Sequence, residues 1–212
     1  MASSTSYGLA ELARQADVSV TTVKYYLREG LLPAGEKRSA TRADYGEAHV
    51  RRLRLLRVLR DVGGVPVERL RALVQVLESD SETLGMLGAG ADALLPPVTD
   101  GQASEEARAL TAEVMRRQGW DMAPEARLMT ALEHAVAAAL ATAASGPGDV
   151  RHQVLRYAAA ADAVGAEDVA SLDAEDPADL LAQMVVGQVV YGRLFDVMRR
   201  MAEAHHAGRR WS

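Results

Sequence analysis

The sequence contains no cysteine, and few of its 212 residues are aromatic. The absence of cysteine excludes disulfides, zinc–thiolate sites, iron–sulfur clusters and cysteine nucleophiles. It also agrees with a reducing compartment. Aromatic residues make up only 4% of the chain, which argues against a carbohydrate-binding surface. Hydrophobic residues make up 49% and charged residues 25%, a balance typical of ordinary globular domains.

Long hydrophobic runs are scarce as well. The first six residues are polar and contain no apolar core of a secretory signal. The most apolar stretch, Met184 to Gly192, includes Gln188 and is much shorter than the ~20 residues that a membrane helix needs. We therefore expect a cytoplasmic protein with no membrane partner.

Charge is divided unevenly along the chain. Residues 1–78 carry 13 Lys or Arg against 9 Asp or Glu, whereas residues 79–212 carry 11 against 20. A basic head on an acidic body is typical of a protein that contacts nucleic acid at one end only. The alternative is a chance segregation of solvated surface charge.

Apolar periodicity and helix-breaking residues predict four helices in the first part of the chain. These are 8–15, 20–29, a third helix that ends near 62, and 66–78. Ser19 is expected to cap the second helix, and Gly30 to end it in a left-handed conformation. Asp44 and Glu47 have the spacing of a capping box, with Asp44 as the N-cap of the third helix. The intervening residues 33–42 predict an exposed loop or hairpin.

The composition then predicts a mainly α protein in three parts. Residues 1–78 form a winged helix-turn-helix domain, 79–102 a short helix with a Gly/Pro-rich linker, and 103–212 an all-helical bundle. The short helix is expected at 81–94. The later helices are expected at 103–118, 124–144, 149–164 and 178–206, with a turn near 167–172. The last helix is apolar around most of its circumference, so we expect it to be central or in a subunit contact.

Two short helices joined by a three-residue turn, followed by a basic loop, are typical of a helix-turn-helix with a wing. A helix of this kind fits the DNA major groove and presents its side chains to base edges and phosphates. Val20, Val23 and Leu27 are predicted to face inward. The side chains of the second helix that remain for DNA are those of Thr21, Thr22, Lys24, Tyr25 and Arg28.

An ordered set of motifs over residues 7–77 resembles the MerR family of transcriptional regulators. The matching residues are Val18-Ser19, Thr22-Val23-Lys24-Tyr25-Tyr26, Gly30-Leu31-Leu32, Arg42, Tyr45, Val50 and Arg52-Leu53. The chain departs from the family pattern at three positions, with Asp17 where Gly is common, Lys24 where Arg is usual, and Leu27 where Glu is usual. Its wing, near residues 41–45, is one residue longer and lacks the first tyrosine.

The resemblance implies a homodimer that binds an inverted repeat in double-stranded DNA. Many relatives activate promoters with overlong spacers by bending and untwisting them, so that RNA polymerase engages both promoter elements. Matching the motif residue by residue makes Thr21, Thr22, Lys24 and Tyr25 groove and backbone contacts. It makes Lys37, Arg38 and Arg42 wing contacts. Tyr26 and Tyr45 are expected to pack internally.

The part beyond the motif differs from the best-known relatives, which dimerise through one long helix after the DNA-binding domain. The glycines in 85–101 are incompatible with an uninterrupted helix there. We therefore expect dimerisation through the C-terminal helical domain, by way of helix 178–206.

Three aromatic residues, Trp120, Tyr157 and Tyr191, are candidates to line an apolar pocket for a small organic effector. Ordinary core packing is the alternative for them. Metal sensing is not expected, because cysteines are absent and no histidine pair has ligand spacing. No cofactor is predicted, and no set of residues offers catalytic roles, so we expect a protein that is not an enzyme.

Two alternatives to an effector-controlled regulator stay open. One is a DNA-bound adaptor that responds to a protein partner through its acidic domain. The other is an excisionase-like or architectural DNA binder without an effector.

Overall fold

The computed structural model describes residues 6–39, 42–79, 82–95, 101–123, 126–142 and 149–211. The chain divides into two compact units. The first unit combines Met1–Ala93 with Asp176–Ser212, and the second is Leu94–Glu175. The predicted third part, 103–212, is therefore split after residue 175. The final helices join the first unit because they pack against its glycines, as described below.

The described residues form ten α-helices, two short strands and two π-helical turns. In chain order they are α1 (Leu9–Gln15), α2 (Val20–Arg28), β1 (Glu36–Lys37), β2 (Ala43–Asp44), α3 (Glu47–Arg57), a π-helical turn (Val58–Val62), α4 (Val67–Leu77), α5 (Thr83–Leu94), α6 (Glu105–Gln118), α7 (Arg127–Ala141), α8 (Val150–Ala170), α9 (Pro177–Val186), a second π-helical turn (Gly187–Tyr191) and α10 (Gly192–Trp211). The predicted mainly α architecture is confirmed.

The wing is a minimal antiparallel hairpin. Glu36 pairs with Asp44, and Lys37 pairs with Ala43. Tyr7 extends this hairpin, since its N–H donates to the Tyr45 carbonyl at 2.8 Å and its carbonyl accepts from the Tyr45 N–H at 2.9 Å. The segment before α1 is thereby fixed to the wing.

The helix ends of the first unit agree with the sequence at two positions and differ at a third. Ser19 caps α2 by accepting from the Thr22 N–H at 2.9 Å, and Gly30 has the left-handed φ of 70°. The prediction that Asp44 caps α3 was wrong, because Asp44 belongs to strand β2. Instead α3 starts after Gly46, whose N–H donates to His49 Nδ1 at 3.1 Å.

The core of the first unit lies between α1, α2, α3 and α4. Its large side chains are fully buried: Leu12, Val23, Tyr26, Leu53, Leu56, Leu59, Leu70 and Leu73. Leucine and valine side chains of this size each contribute about 1.5–3 kcal/mol when buried. Tyr26 and Tyr45 are buried, as expected. Val20, predicted to face inward, is exposed.

The C-terminal helical run belongs to the first unit and packs on two of its glycines. A Cβ on Gly90 would collide with the Leu181 side chain, and a Cβ on Gly63 would collide with Val189 and with the Leu59 carbonyl. Farther along, Arg193 donates to the Val62 carbonyl. Close backbone approach is the reason glycine is needed at both positions.

The last helix was predicted over 178–206 and expected to be central or in a subunit contact. It corresponds to α9, the second π-helical turn and α10. Leu181 and Val185 of α9 are fully buried, whereas α10 has no buried residue. Its helical run extends to Trp211, beyond the predicted end at 206. Large apolar side chains remain exposed along the run: Tyr191, Leu194, Phe195, Val197, Met198 and Met201.

Within the described residues, the run Pro177–Trp211 has the length of a membrane-spanning helix, and its most apolar window has a mean hydropathy of 1.2. The sequence alone did not predict such a segment. A helix whose apolar face meets another protein surface gives the same pattern, so this run is weak evidence of a membrane span. In addition, α10 carries Asp196 ion-paired with Arg199 and Arg200.

The second unit is built from α6, α7 and α8. Its buried cluster consists of Ala103, Ala107, Leu110 and Val136, with Leu132, Ala137, Leu140 and Val154 packed around it. Arg151 of α8 donates to the Glu113 carboxylate of α6, and this hydrogen bond holds the pKa of Glu113 below its usual range.

The largest difference from the predicted boundaries in this unit is at the end of α8. Helix α8 continues to Ala170 in place of ending at 164, and the expected turn at 167–172 is helical as far as Ala170. Gly165 lies within α8 with open space beside it, and the helix continues through this glycine.

The short helix predicted at 81–94 is confirmed as α5. Residues 80–81 and 96–100 of the predicted linker, and 124–125 and 143–148 around α7, lie outside the described part of the chain.

Two glycines of α5 offer a matched test of how α9 packs. Gly88→Ala should raise the free energy of unfolding by about 0.5–1 kcal/mol, because alanine is the better helix former and Gly88 faces open space. Gly90→Ala should instead lower it by about 1–3 kcal/mol, because the new methyl group overpacks against the fully buried Leu181. Urea unfolding of both variants measures the difference. Equal effects would contradict the packing of α9 on α5.

Candidate nucleic-acid interface

Helix α2 presents a polar ridge to solvent. Thr21, Lys24 and Arg28 are exposed at spacings of three and four residues, so they lie on one face of the helix. Thr22 behaves differently, because its hydroxyl lies 2.8 Å from the Ser19 hydroxyl and its N–H is capped by the same side chain. Thr22 therefore stabilises the first turn of the helix and is only partly available to a ligand.

Tyr25 sits between two arginines. The guanidinium of Arg28 lies 5.3 Å from the centre of the Tyr25 ring, and that of Arg60 lies 5.4 Å from it. Cation–π contacts of this length hold the ring and the cations together. A hydrogen bond with Tyr25 raises the pKa of Arg60, and burial raises the pKa of the neighbouring Tyr26. The ridge of α2 is thus extended by a cation from the π-helical turn after α3.

The turn before α2 depends on a left-handed residue. Asp17, which stands where the family commonly has Gly, has a φ of 54°, a left-handed conformation that Asp tolerates. Arg57 donates to the Asp17 carbonyl at 3.1 Å and to its carboxylate. Arg54 donates to the Gln15 carbonyl at 2.9 Å. Both arginines therefore bind the carbonyl end of α1, where the helix dipole favours positive charge.

Two arginines that were not among the predicted site residues, Arg57 and Arg60, lie beside α2. A cleft of about 560 Å³ beside α2 is lined by Asp17, Val18, Ser19, Thr21, Thr22, Tyr25, Tyr26, Arg57, Arg60 and Asp61. Neither Arg57 nor Arg60 was predicted for the site from the sequence. The available signal is a run of arginines at a three-residue spacing, Arg51, Arg54, Arg57 and Arg60.

The predicted wing residues form a separate cluster. Lys37, Arg38 and Arg42 are exposed, and all three line a cleft of about 980 Å³ beside the start of α1. Arg38 forms an ion pair with Asp44 across the hairpin at 3.1 Å. Its N–H also donates to the Arg42 carbonyl at 2.9 Å, which closes the wing. The exposed cations of the wing are therefore carried by a hydrogen-bonded β-hairpin.

The end of α2 is tied to α4. Glu29 accepts from Arg71, and this hydrogen bond lowers the pKa of the Glu29 carboxyl. Arg28 also reaches the same carboxylate, at 3.4 Å. Arg28 is therefore oriented by Glu29, which is itself held by Arg71 of α4.

The three residues predicted for an effector pocket do not come together. Trp120 and Tyr157 both line one apolar cleft of the second unit. Tyr191 lies in the second π-helical turn of the first unit, is 59% exposed and does not line that cleft. Among the residues that the structure describes, no group of three or more His, Asp or Glu could hold a metal ion.

Similarity to known proteins agrees with a helix-turn-helix in this part of the chain. Residues 7–77 match the model of the MerR HTH family regulatory proteins. The chain is also similar to a crystal structure described as "the putative transcriptional regulator SCO5550 from Streptomyces coelicolor A3(2)", with 30% sequence identity and a TM-score of 0.71. The match covers 96% of this chain and 97% of the other. No curated protein matches the chain.

The left-handed turn gives a direct test of the support under α2. Asp17→Val should lower the free energy of unfolding by about 1–2 kcal/mol, because a β-branched residue is strained at this φ. Asp17→Gly should change it by no more than about 1 kcal/mol, since glycine adopts the conformation freely and the exposed ion pair to Arg57 contributes little. Thermal unfolding followed by circular dichroism measures both. Equal losses in the two variants would mean that the turn is not held left-handed.

Proposed function

Because the chain belongs to the MerR family of helix-turn-helix transcriptional regulators, we propose that it binds an inverted repeat in promoter DNA as a homodimer and activates transcription in the cytoplasm. The observation that carries the proposal is the exposed ridge of α2, flanked by arginines and followed by a basic wing within the same compact unit. A ridge of this kind supplies base contacts, and the surrounding cations supply phosphate contacts.

The residues divide into two roles. Thr21, Lys24 and Arg28 face the major groove from α2, while Tyr25 and Arg60 hold the adjacent phosphate backbone. Thr22 contributes through the cap of α2 as much as through DNA. The wing contacts the flanking phosphates with its exposed cations, Lys37, Arg38 and Arg42. Arg57 acts through Asp17, by fixing the angle at which α2 enters the groove.

A second copy of the chain is the proposed partner of α10. Tyr191, Leu194, Met198 and Met201 recur at intervals of three and four residues and are all exposed, so they form one apolar stripe. Asp196, Arg199 and Arg200 lie on the opposite side, paired with one another. A two-fold dimer joins identical patches, and an inverted repeat requires that symmetry.

Activation follows from the geometry expected of such a dimer on DNA. Two heads fixed at one separation bind a promoter with an overlong spacer only if the DNA bends or untwists. Deformations of this kind cost several kcal/mol, and the phosphate contacts of both wings offset that cost. RNA polymerase then meets both promoter elements on one face. A small organic effector is proposed to control this step, with Trp120 and Tyr157 lining its site.

Binding of the duplex upstream of the gene should depend on single cations of α2 and the wing. Lys24→Ala should weaken binding and relax the preference for the native duplex, because Lys24 faces the major groove. Arg42→Ala should weaken binding and reduce the slope of log affinity against log salt by about 0.9 for its lost phosphate contact. Fluorescence anisotropy across a salt series measures both quantities. Arg116→Ala, an exposed arginine of α6 in the second unit, is the matched control and should leave the slope unchanged.

A sequence-specific regulator should prefer the native duplex over a scrambled one by about a thousandfold or more. Salt-sensitive binding without preference would support the architectural alternative. Absence of binding at low salt by a folded dimer would contradict the proposal and favour an adaptor that needs a protein partner.

The dimer face can be tested on the same protein. Met198→Glu places a charge in the apolar stripe and should shift the protein from dimer to monomer in analytical ultracentrifugation, because an unpaired buried charge is costly. Arg200→Glu adds the same side chain on the charged side of α10 and should leave the dimer intact.

A lipid bilayer is the alternative partner of the apolar stripe, because the run Pro177–Trp211 has the length of a membrane-spanning helix. Co-sedimentation of the wild-type protein with phosphatidylcholine vesicles, in place of self-association, would identify the run Pro177–Trp211 as a membrane contact. That result would refute the proposed dimer face.

A further inference from the structure

The second unit contains an apolar cleft bounded by three helices. It lies between α6, α7 and α8 and has a volume of about 350 Å³. The described residues that line it are Val114, Trp120, Leu132, Ala135, Val136, Val154, Tyr157, Ala158 and Ala161. A volume of this size falls in the range of roughly 300–1,000 Å³ that is common for small-molecule sites.

The floor of the cleft is apolar, and its rim is aromatic. Val114, Val136 and Ala158 are buried, whereas Tyr157 is 47% exposed. Trp120 is fixed in place, because its indole N–H donates to the Asp162 carboxylate at 2.7 Å. The guanidinium of Arg156 lies 5.6 Å from the centre of the Tyr157 ring. Both aromatic side chains are thus held by polar partners on α8 and leave their apolar surface to the cleft.

The polar chemistry of the cleft restricts its ligand. The lining side chains that the structure describes carry no charge, and their polar groups are the Tyr157 hydroxyl and the indole N–H already bonded to Asp162. Within the cleft, a charged ligand would lose its hydration without gaining a charged partner among the lining side chains, which is strongly unfavourable. The surrounding residues 94–175 carry 13 Asp or Glu against 6 Lys or Arg. This negative surface further disfavours anions.

We propose that this cleft binds an uncharged aromatic small molecule, whose rings pack on Trp120 and Tyr157 and whose edge faces the Tyr157 hydroxyl. Its role as an effector rests on the proposed function, whereas the binding itself does not involve DNA. Aromatic rings prefer offset or edge-to-face packing, and a planar ligand satisfies both rim residues at once.

Two related dyes provide a direct test. N-phenyl-1-naphthylamine is uncharged, and 8-anilinonaphthalene-1-sulfonate is the same molecule with an added sulfonate. The protein has two tryptophans, so Trp211→Phe leaves Trp120 as the single tryptophan reporter. In this variant the uncharged dye should bind saturably with one site per chain and should quench Trp120 emission. The sulfonate should bind at least about tenfold more weakly, a difference of about 1.4 kcal/mol.

Two alanines of α8 provide matched variants. Ala161 lines the cleft, and Ala160 is an exposed neighbour on the same helix that does not line it. Ala161→Phe should fill the cleft and weaken binding of the uncharged dye by about tenfold or more. Ala160→Phe should change it by less than about twofold. Circular dichroism confirms that both variants are folded.

The readouts separate this site from the DNA-binding proposal, because the titrations contain no DNA. Equal affinity for the two dyes, or equal effects of the two alanine variants, would overturn the proposed ligand class or its location. A cleft that takes up no dye, together with a dimer that Ala161→Phe dissociates, would show that a second copy fills it and would also overturn the proposal. Failure of DNA binding in the separate anisotropy experiment would leave the dye result unaffected.

Discussion

The direction of α2 depends on the hydrogen bond that Arg57 donates to the Asp17 carbonyl. The turn between α1 and α2 is short, and its left-handed residue is not glycine, so the conformation needs support from outside the turn. Arg57 supplies that support from α3, and Arg54 binds the neighbouring carbonyl of Gln15. Two arginines that look like surface charge in the sequence therefore act within the protein, and they set how the exposed cations of α2 are presented.

The second constraint on the first unit is its C-terminal helical run, which returns to the end of the helix-turn-helix. Gly63 lacks a side chain at the point where Val189 approaches, and Arg193 binds the Val62 carbonyl next to it. The helix with the apolar stripe is therefore anchored to the same core that positions α2. In a dimer formed through that stripe, the separation of the two recognition helices would be set by rigid packing within each protomer.

Local signals in the sequence were sufficient for several features of residues 1–78. Ser19 as a cap, Gly30 as a left-handed end and the buried Tyr26 follow from chemistry within a few residues. The role of Asp44 could not be read in this way, because the choice between capping box and hairpin depends on its pairing with Glu36. Long-range packing also decided that Leu181 and Val189 belong with the first unit, and that Tyr191 is separate from Trp120. The cleft around Trp120 and Tyr157 was foreseeable only in part, since its lining comes from three helices.

The second π-helical turn determines which way α10 faces. Three contacts of the C-terminal run with the first unit, those of Leu181 with Gly90, Val189 with Gly63 and Arg193 with the Val62 carbonyl, fall at positions eight and four residues apart. In an uninterrupted α-helix, positions four apart drift by about 40° at each step. A π-helical turn closes after one additional residue and absorbs this drift. The π-helical turn Gly187–Tyr191 thus keeps these contacts on one side of the helical run. Loss of Gln188 from this turn would leave a regular α-helix and keep the apolar stripe facing nearly the same way relative to α9, whereas loss of one residue within α9 would rotate the stripe by about 100°.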